Sequence, residues 1–201
     1  MLLVYILIML IVALFVFYKF WFLRDPDRKI PTGDNIVSPA DGKVIEILPF
    51  DNTEVLIEKG FAGQIKVLTS DVAAEGWMVS IFMSPLDVHV NRAPIGGEVK
   101  YIQHKAGSFS MAFAFKAAFE NERTEILIVN KKLRVKVVPI AGFIARRIVT
   151  WVRRGEWVEK GQRIGLIKLG SQCTLIVPNK VKLCVKKGDR VYAGVSIIGR
   201  L

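Results

Sequence analysis

From Val37 onward the sequence is cut into short runs rich in β-branched residues, with turn residues between them, and this punctuation constrains the fold more than any other feature. The runs Lys43 to Leu48, Glu54 to Glu58, Gln64 to Leu68 and Trp77 to Met83 come first. Glu98 to Gln103, Thr124 to Val129 and Leu133 to Pro139 follow. Segments this short, recurring about every ten residues, predict strands rather than alternating β-α units. Ser108 to Glu120 is the best candidate for a helix or ordered loop, and its phenylalanines, Phe109, Phe113, Phe115 and Phe119, suit either core or a segment dipping into lipid.

The last third carries an internal repeat. Gly155-Glu156-Trp157-Val158 through Ile164 matches Gly188-Asp189-Arg190-Val191 through Ile197 in the pattern Gly-acid-x-Val-x-x-Gly-x-x-Ile, offset by 33 positions. Each copy predicts a turn, a half-buried strand, a tight turn at glycine and a further strand. Two such units facing each other resemble the barrel-sandwich half-motifs of biotinyl and lipoyl carrier domains. The expected fold is therefore mainly β, a lipoyl-like barrel-sandwich.

Ahead of that domain the chain is apolar. Met1 to Tyr18 contain no charged side chain, and the run continues past Lys19 to Leu23. As a helix, 23 residues reach roughly 34 Å, enough for a hydrocarbon core of about 30 Å. No small-residue cleavage site follows, so a transmembrane anchor over residues 1–23 is expected rather than a signal peptide. A charged connector occupies 24–36 and the β domain 37–201. Arg24, Arg28 and Lys29 follow the span, which places the domain on the cytoplasmic side of the cell membrane. The formal net charge of +11 suits an anionic membrane surface. It would suit nucleic acid too, but no nucleic-acid-binding motif accompanies it.

Two cysteines, Cys173 and Cys184, show no metal or redox spacing and are expected as small buried residues on strands. With only His89 and His104 as histidines, no metal site is expected. His104 is expected on a strand, facing solvent.

Leu169-Gly170-Ser171 joins two apolar stretches and alone would be a plain turn. It stands with Ser38-Pro39-Ala40-Asp41-Gly42 and Ser84-Pro85-Leu86-Asp87-Val88-His89-Val90-Asn91-Arg92. Arg24-Asp25-Pro26-Asp27-Arg28, Lys105-Ala106-Gly107-Ser108-Phe109 and Asn121-Glu122-Arg123 complete the set. In this order the blocks resemble the phosphatidylserine decarboxylases, from about Phe22 to the C-terminus. Arg92 stands where many bacterial members have a second histidine, as in the short forms that include archaeal archaetidylserine decarboxylases.

The resemblance implies a self-processing enzyme. Ser171 would attack the carbonyl of Gly170, and elimination and hydrolysis would leave a covalent pyruvoyl group derived from Ser171. The products would be a β chain of residues 1–170 and an α chain of 171–201. A serine hydroxyl needs a base; the resemblance assigns His89, with Asp41 orienting it as in a Ser-His-Asp triad. Asp41 suits a turn cap equally as a residue type. Asp87 would share the face of His89 if the segment is extended, and Arg92 is a candidate for substrate carboxylate or phosphate, or for a structural ion pair. The implied substrate is a serine-headed anionic glycerophospholipid, phosphatidylserine or archaetidylserine, converted to the ethanolamine lipid and CO2. A homo-oligomer is compatible with this reading. The anchor would serve vesicle binding and the β domain self-cleavage. A competing reading is a non-catalytic, membrane-anchored lipoyl-like adaptor. Such adaptors carry a long coiled-coil hairpin between their halves, and the stretch from Gly165 to Lys187 is too short for one. A carrier domain would need a lysine presented at the turn, where this chain has Gly170-Ser171.

Overall fold

The computed structural model describes residues 1–51, 54–58, 64–106, 122–141, 147–168 and 171–201. The apolar N-terminal run forms α1 (Leu2–Val16), which passes directly into a π-helical turn over Phe17–Phe22. Together they make a helix long and apolar enough to cross a membrane. Leu2 to Val16 bury nothing against the rest of the chain. The widened final turn changes the helical phase of the residues that follow. At its end, Phe22 is fully buried.

The β domain begins with β1 (Asn35–Val37), β2 (Gly42–Phe50), β3 (Glu54–Glu58), β4 (Gln64–Leu68) and β5 (Gly76–Met83). Next come β6 (Val90–Arg92), β7 (Gly97–Lys105), β8 (Arg123–Val129), β9 (Arg134–Ala141) and β10 (Arg147–Thr150). The chain closes with β11 (Trp157–Val158), β12 (Arg163–Lys168), β13 (Ser171–Pro178), β14 (Lys182–Leu183), β15 (Arg190–Val191) and β16 (Ile197–Arg200). The seven expected strands coincide with these to within a few residues. Ser108 to Glu120 lies outside the described residues.

One long antiparallel sheet organises the domain, in the order β11-β7-β8-β9-β13-β5-β2-β15. Two three-stranded sheets, β1-β16-β14 and β6-β12-β10, flank it. The order is that of two related halves meeting at the β9–β13 pair. Gly155 donates to Val99 and Gly188 to Val44, each at 2.8 Å; Gly161 donates to Ala93 and Gly194 to Ser38, also at 2.8 Å. The repeat read in the sequence therefore extends to the strands each unit packs on. Ala93-Pro94 to Val99 in one half answers Ser38-Pro39 to Val44 in the other.

Gly42 shows why the match is strict. It has φ +149°, and a Cβ there would lie 2.1 Å from the carbonyl oxygen of Phe82. Only glycine lets β2 approach β5 this closely.

Alternation along the strands produces two apolar faces. Val79, Ile81, Val137, Cys173 and Leu175 point into the main core with Val44, Val99 and Ile164. Met78, Val138, Ile140 and Ile176 point the other way, under Phe50 and Val67. Burying each such side chain contributes about 1.5–3 kcal/mol. Cys173 is buried as expected, and burial pushes its thiol pKa up. Cys184 departs from expectation: it lies past the end of β14 and is exposed. His104 sits on β7 with half its side chain exposed, 3.0 Å from the Thr124 hydroxyl.

Candidate active site

β13 begins at Ser171, whose backbone pairs with Met83 at the end of β5 on one side and Ala141 on the other. Leu169 and Gly170 lie outside the described residues, as does the side chain of Ser171. β12, which leads to the Gly170-Ser171 bond, pairs with β6, and the Ile167 N–H donates to the carbonyl of His89 at 3.1 Å. From the other side, β5 delivers Met83 next to Ser171 and then turns through Ser84 to Val88 to reach His89. The antiparallel pairing thus brings His89 beside the strand that enters the expected cleavage point.

His89 is fully buried. Its Nδ1 lies 2.8 Å from the carbonyl oxygen of Asp87. A carbonyl only accepts, so Nδ1 carries the hydrogen and donates it, leaving the lone pair on Nε2. That Nε2 has no hydrogen-bond partner among the described residues. Burial lowers the imidazole pKa, which the Asp87 carbonyl, the Asp87 and Asp41 charges and the Arg24 charge modulate. A neutral ring with a bare, buried lone pair is a proton acceptor awaiting a donor.

Among the described residues neither carboxylate hydrogen-bonds this ring, and both act on it through charge alone. Asp41 accepts the Ala193 N–H at 2.7 Å on one oxygen and the Arg28 guanidinium at 2.8 Å on the other. The orienting contact expected from Asp41 comes instead from the Asp87 main chain. Asp87 does not share a strand face with His89, because the chain turns over Ser84 to Asp87 instead of running extended. Its carboxylate caps that turn, accepting from Ser84 N–H at 2.8 Å and Ser84 hydroxyl at 2.7 Å, and pairs with Arg190.

Arg92 is committed to the connector. Its guanidinium donates to Gly161 O at 3.0 Å, Asp25 at 2.8 Å and Pro26 O at 3.2 Å, and is buried. Arg163 pairs with Asp25 and Asp27. The Arg-Asp-Pro-Asp-Arg block therefore clamps the connector onto the domain. Sequence reasoning passed over three residues here. Phe22 lies tilted against His89 with ring centroids 4.1 Å apart, Arg28 holds Asp41, and Arg190, with its side chain 57% exposed, lies beside Asp87. The charge of the connector signalled Arg28; nothing in the pattern of the apolar run set Phe22 apart.

A tethered β domain that holds a neutral, sequestered histidine against its own backbone, beside an expected scission point, has the design of a self-processing enzyme. The comparisons with known proteins agree. A family model described as phosphatidylserine decarboxylase matches residues 15–199. A protein of Methanocaldococcus jannaschii named putative archaetidylserine decarboxylase proenzyme is 48% identical, covering 90% of this chain and 88% of its own. A phosphatidylserine decarboxylase proenzyme of Carboxydothermus hydrogenoformans is 43% identical over 96% of this chain and 84% of its own. One of Chlorobium phaeobacteroides is 41% identical over 94% and 81%. The chain belongs to the phosphatidylserine decarboxylase family.

Proposed function

We propose that this chain is a serine-phospholipid decarboxylase, made as a proenzyme that cuts itself between Gly170 and Ser171 and carries a pyruvoyl group derived from Ser171. The observation that carries this reading is the buried Nε2 of His89, which has no hydrogen-bond partner among the described residues, on a residue whose main chain is bonded to the strand leading to Ser171. The names of the relatives, decarboxylase proenzymes acting on phosphatidylserine or archaetidylserine, support the substrate class.

In self-cleavage His89 Nε2 takes the Ser171 hydroxyl proton as the oxygen adds to the Gly170 carbonyl. The Asp87 carbonyl keeps the accepting nitrogen turned inward, and the Asp41 charge, already balanced by Arg28, favours the imidazolium at longer range. The products are the β chain 1–170 and the α chain 171–201. A buried base without a partner among the described residues, bonded through its main chain to the strand that leads to Ser171, fits a pyruvoyl group at that position. Such a group supplies the electron sink through which an amine substrate loses its carboxylate as CO2, so no added cofactor is needed. His89 then returns a proton to the substrate carbon.

We assign the anionic headgroup to Arg190 and the exposed Lys43, on the support that they are adjacent through the β15–β2 pair. The span enters the domain at Phe22, directly on His89, and Trp21 and Leu86 lie exposed around that entry. We take this side of the domain to face the bilayer, and the positive charges after the span to put the domain on the cytoplasmic side. We read the two related halves as barrel-sandwich half-motifs of the lipoyl type.

The test is release of CO2 from vesicles containing phosphatidylserine or archaetidylserine, against free serine. The wild-type protein should act on lipid and barely on serine, and Ser171→Ala should be inert on both. Equal turnover of free serine would refute the lipid assignment.

A further inference from the structure

The anchor was expected to act as a tether, separable from the chemistry. One contact crosses that division. Phe22, the last residue of the apolar helix, has no exposed surface, whereas Phe15 and Phe20 in the same helix are 63% and 72% exposed. Its ring lies against the His89 imidazole at 4.1 Å between centroids, tilted by 33°. Phe22 also stacks with Tyr18, at 5.6 Å between centroids. Immediately after it, Arg24 sits over the Trp21 ring and donates to the carbonyls of Trp21 and Leu86, fixing the helix end to the turn that precedes His89.

We infer that Phe22 is a positioning residue for His89, so that the membrane anchor forms one wall of the self-processing site. This rests on the reading of His89 as the base. The ring does two things. It holds the imidazole in the one plane compatible with the Nδ1 bond to Asp87, and it excludes water from the ring that must stay neutral. The charged groups acting on His89 come from each neighbouring element: Arg24 at the helix end, Asp41 in the loop before β2, and Asp87 in the turn before β6. None of them replaces the apolar cover. An aromatic pair of this kind contributes about 0.5–1.5 kcal/mol beyond area burial.

The experiment is cell-free synthesis of the full chain into nanodiscs, with self-cleavage timed at a series of pH values for Phe22→Ala, Phe22→Leu, Phe15→Ala and Phe20→Ala. Phe22→Ala should slow cleavage at least tenfold at mildly acidic pH. It should also move the acid limb of the rate profile upward, because a hydrated imidazole regains its ordinary pKa near 6.5. Phe22→Leu keeps apolar cover and should recover most of the rate and the original limb. Phe15→Ala and Phe20→Ala, at exposed positions, should match wild type. Wild-type rate and limb in Phe22→Ala would overturn the inference. So would a lowered melting temperature with an unmoved limb, which is the signature of a merely structural residue. If Phe22→Ala does not fold, Phe22→Val, which thins the apolar cover without removing it, decides by its limb: a limb moved upward supports the inference, and an unmoved limb overturns it. His89→Ala run alongside separates the two levels. If it cleaves normally, the assignment of the base itself fails, whatever Phe22 does.

Discussion

Nδ1 of His89 donates to the main-chain carbonyl of Asp87 at 2.8 Å, and that one contact fixes which ring nitrogen is left to take a proton. A main-chain acceptor cannot be removed by substitution, so the tautomer survives changes to the Asp87 side chain. His89→Ala should slow self-cleavage by several orders of magnitude, as loss of one triad member does elsewhere. Asp87→Asn should cost far less. Timed gels of newly made protein measure both.

Burial holds the His89 pKa below its ordinary value, which fixes the direction of the pH dependence. The unfolded chain takes up a proton near pH 6.5 while the folded one resists it, so below that pH the unfolded state binds more protons. The stability that the neutral ring represents is present above 6.5 and is lost as pH falls beneath it. Melting temperatures between pH 5 and 8 should show this slope in wild type and a shallower one in His89→Phe.

Asp41 and Arg28 form a pair with only 6% and 11% of their side chains exposed. Removing one charge leaves the other buried, and breaking such a pair costs about 3–5 kcal/mol. Arg28→Gln and Asp41→Asn should each lower the melting temperature. Their effect on cleavage should be smaller than that of His89→Ala, because neither side chain touches the ring. The double variant should recover part of the lost stability.

The two arginines near the site should separate kinetically. Arg190 is half-exposed, and Arg190→Gln should raise KM for lipid vesicles several-fold with little loss of stability. Arg92 is buried against Asp25, Pro26 and Gly161, and Arg92→Gln should instead destabilise the chain. A KM effect from Arg92 with none from Arg190 would reverse the assignment.

Most of the β architecture was legible in the sequence because strand periodicity and turn glycines are local signals. Gly155, Gly161, Gly188 and Gly194 all have positive φ, as a pattern of tight turns requires. The partner strands of the repeat were not legible. Ala93 to Val99 and Ser38 to Val44 share little beyond proline, glycine and valine, and their equivalence lies in hydrogen bonds to distant segments. At the site, His89 was recognisable as a residue type in a motif, and its neutral, inward-facing state was not. That state depends on a main-chain carbonyl two residues away and on Phe22, which joins it from 67 positions earlier in the chain. The partners of the two carboxylates were not legible for the same reason. Charge in a motif says that Asp41 and Asp87 matter locally, while Arg28, Ala193 and Arg190, which decide where their oxygens point, come from remote segments.

The central claim is that Ser171 becomes the head of a new chain, and intact-mass spectrometry of the purified protein tests it most directly. Two chains are predicted, residues 1–170 and 171–201. The smaller should start with a pyruvoyl group in place of serine, and so resist amino-terminal sequencing. Ser171→Ala should give one uncut chain. A single intact wild-type chain that still releases CO2 from serine phospholipid would contradict the account.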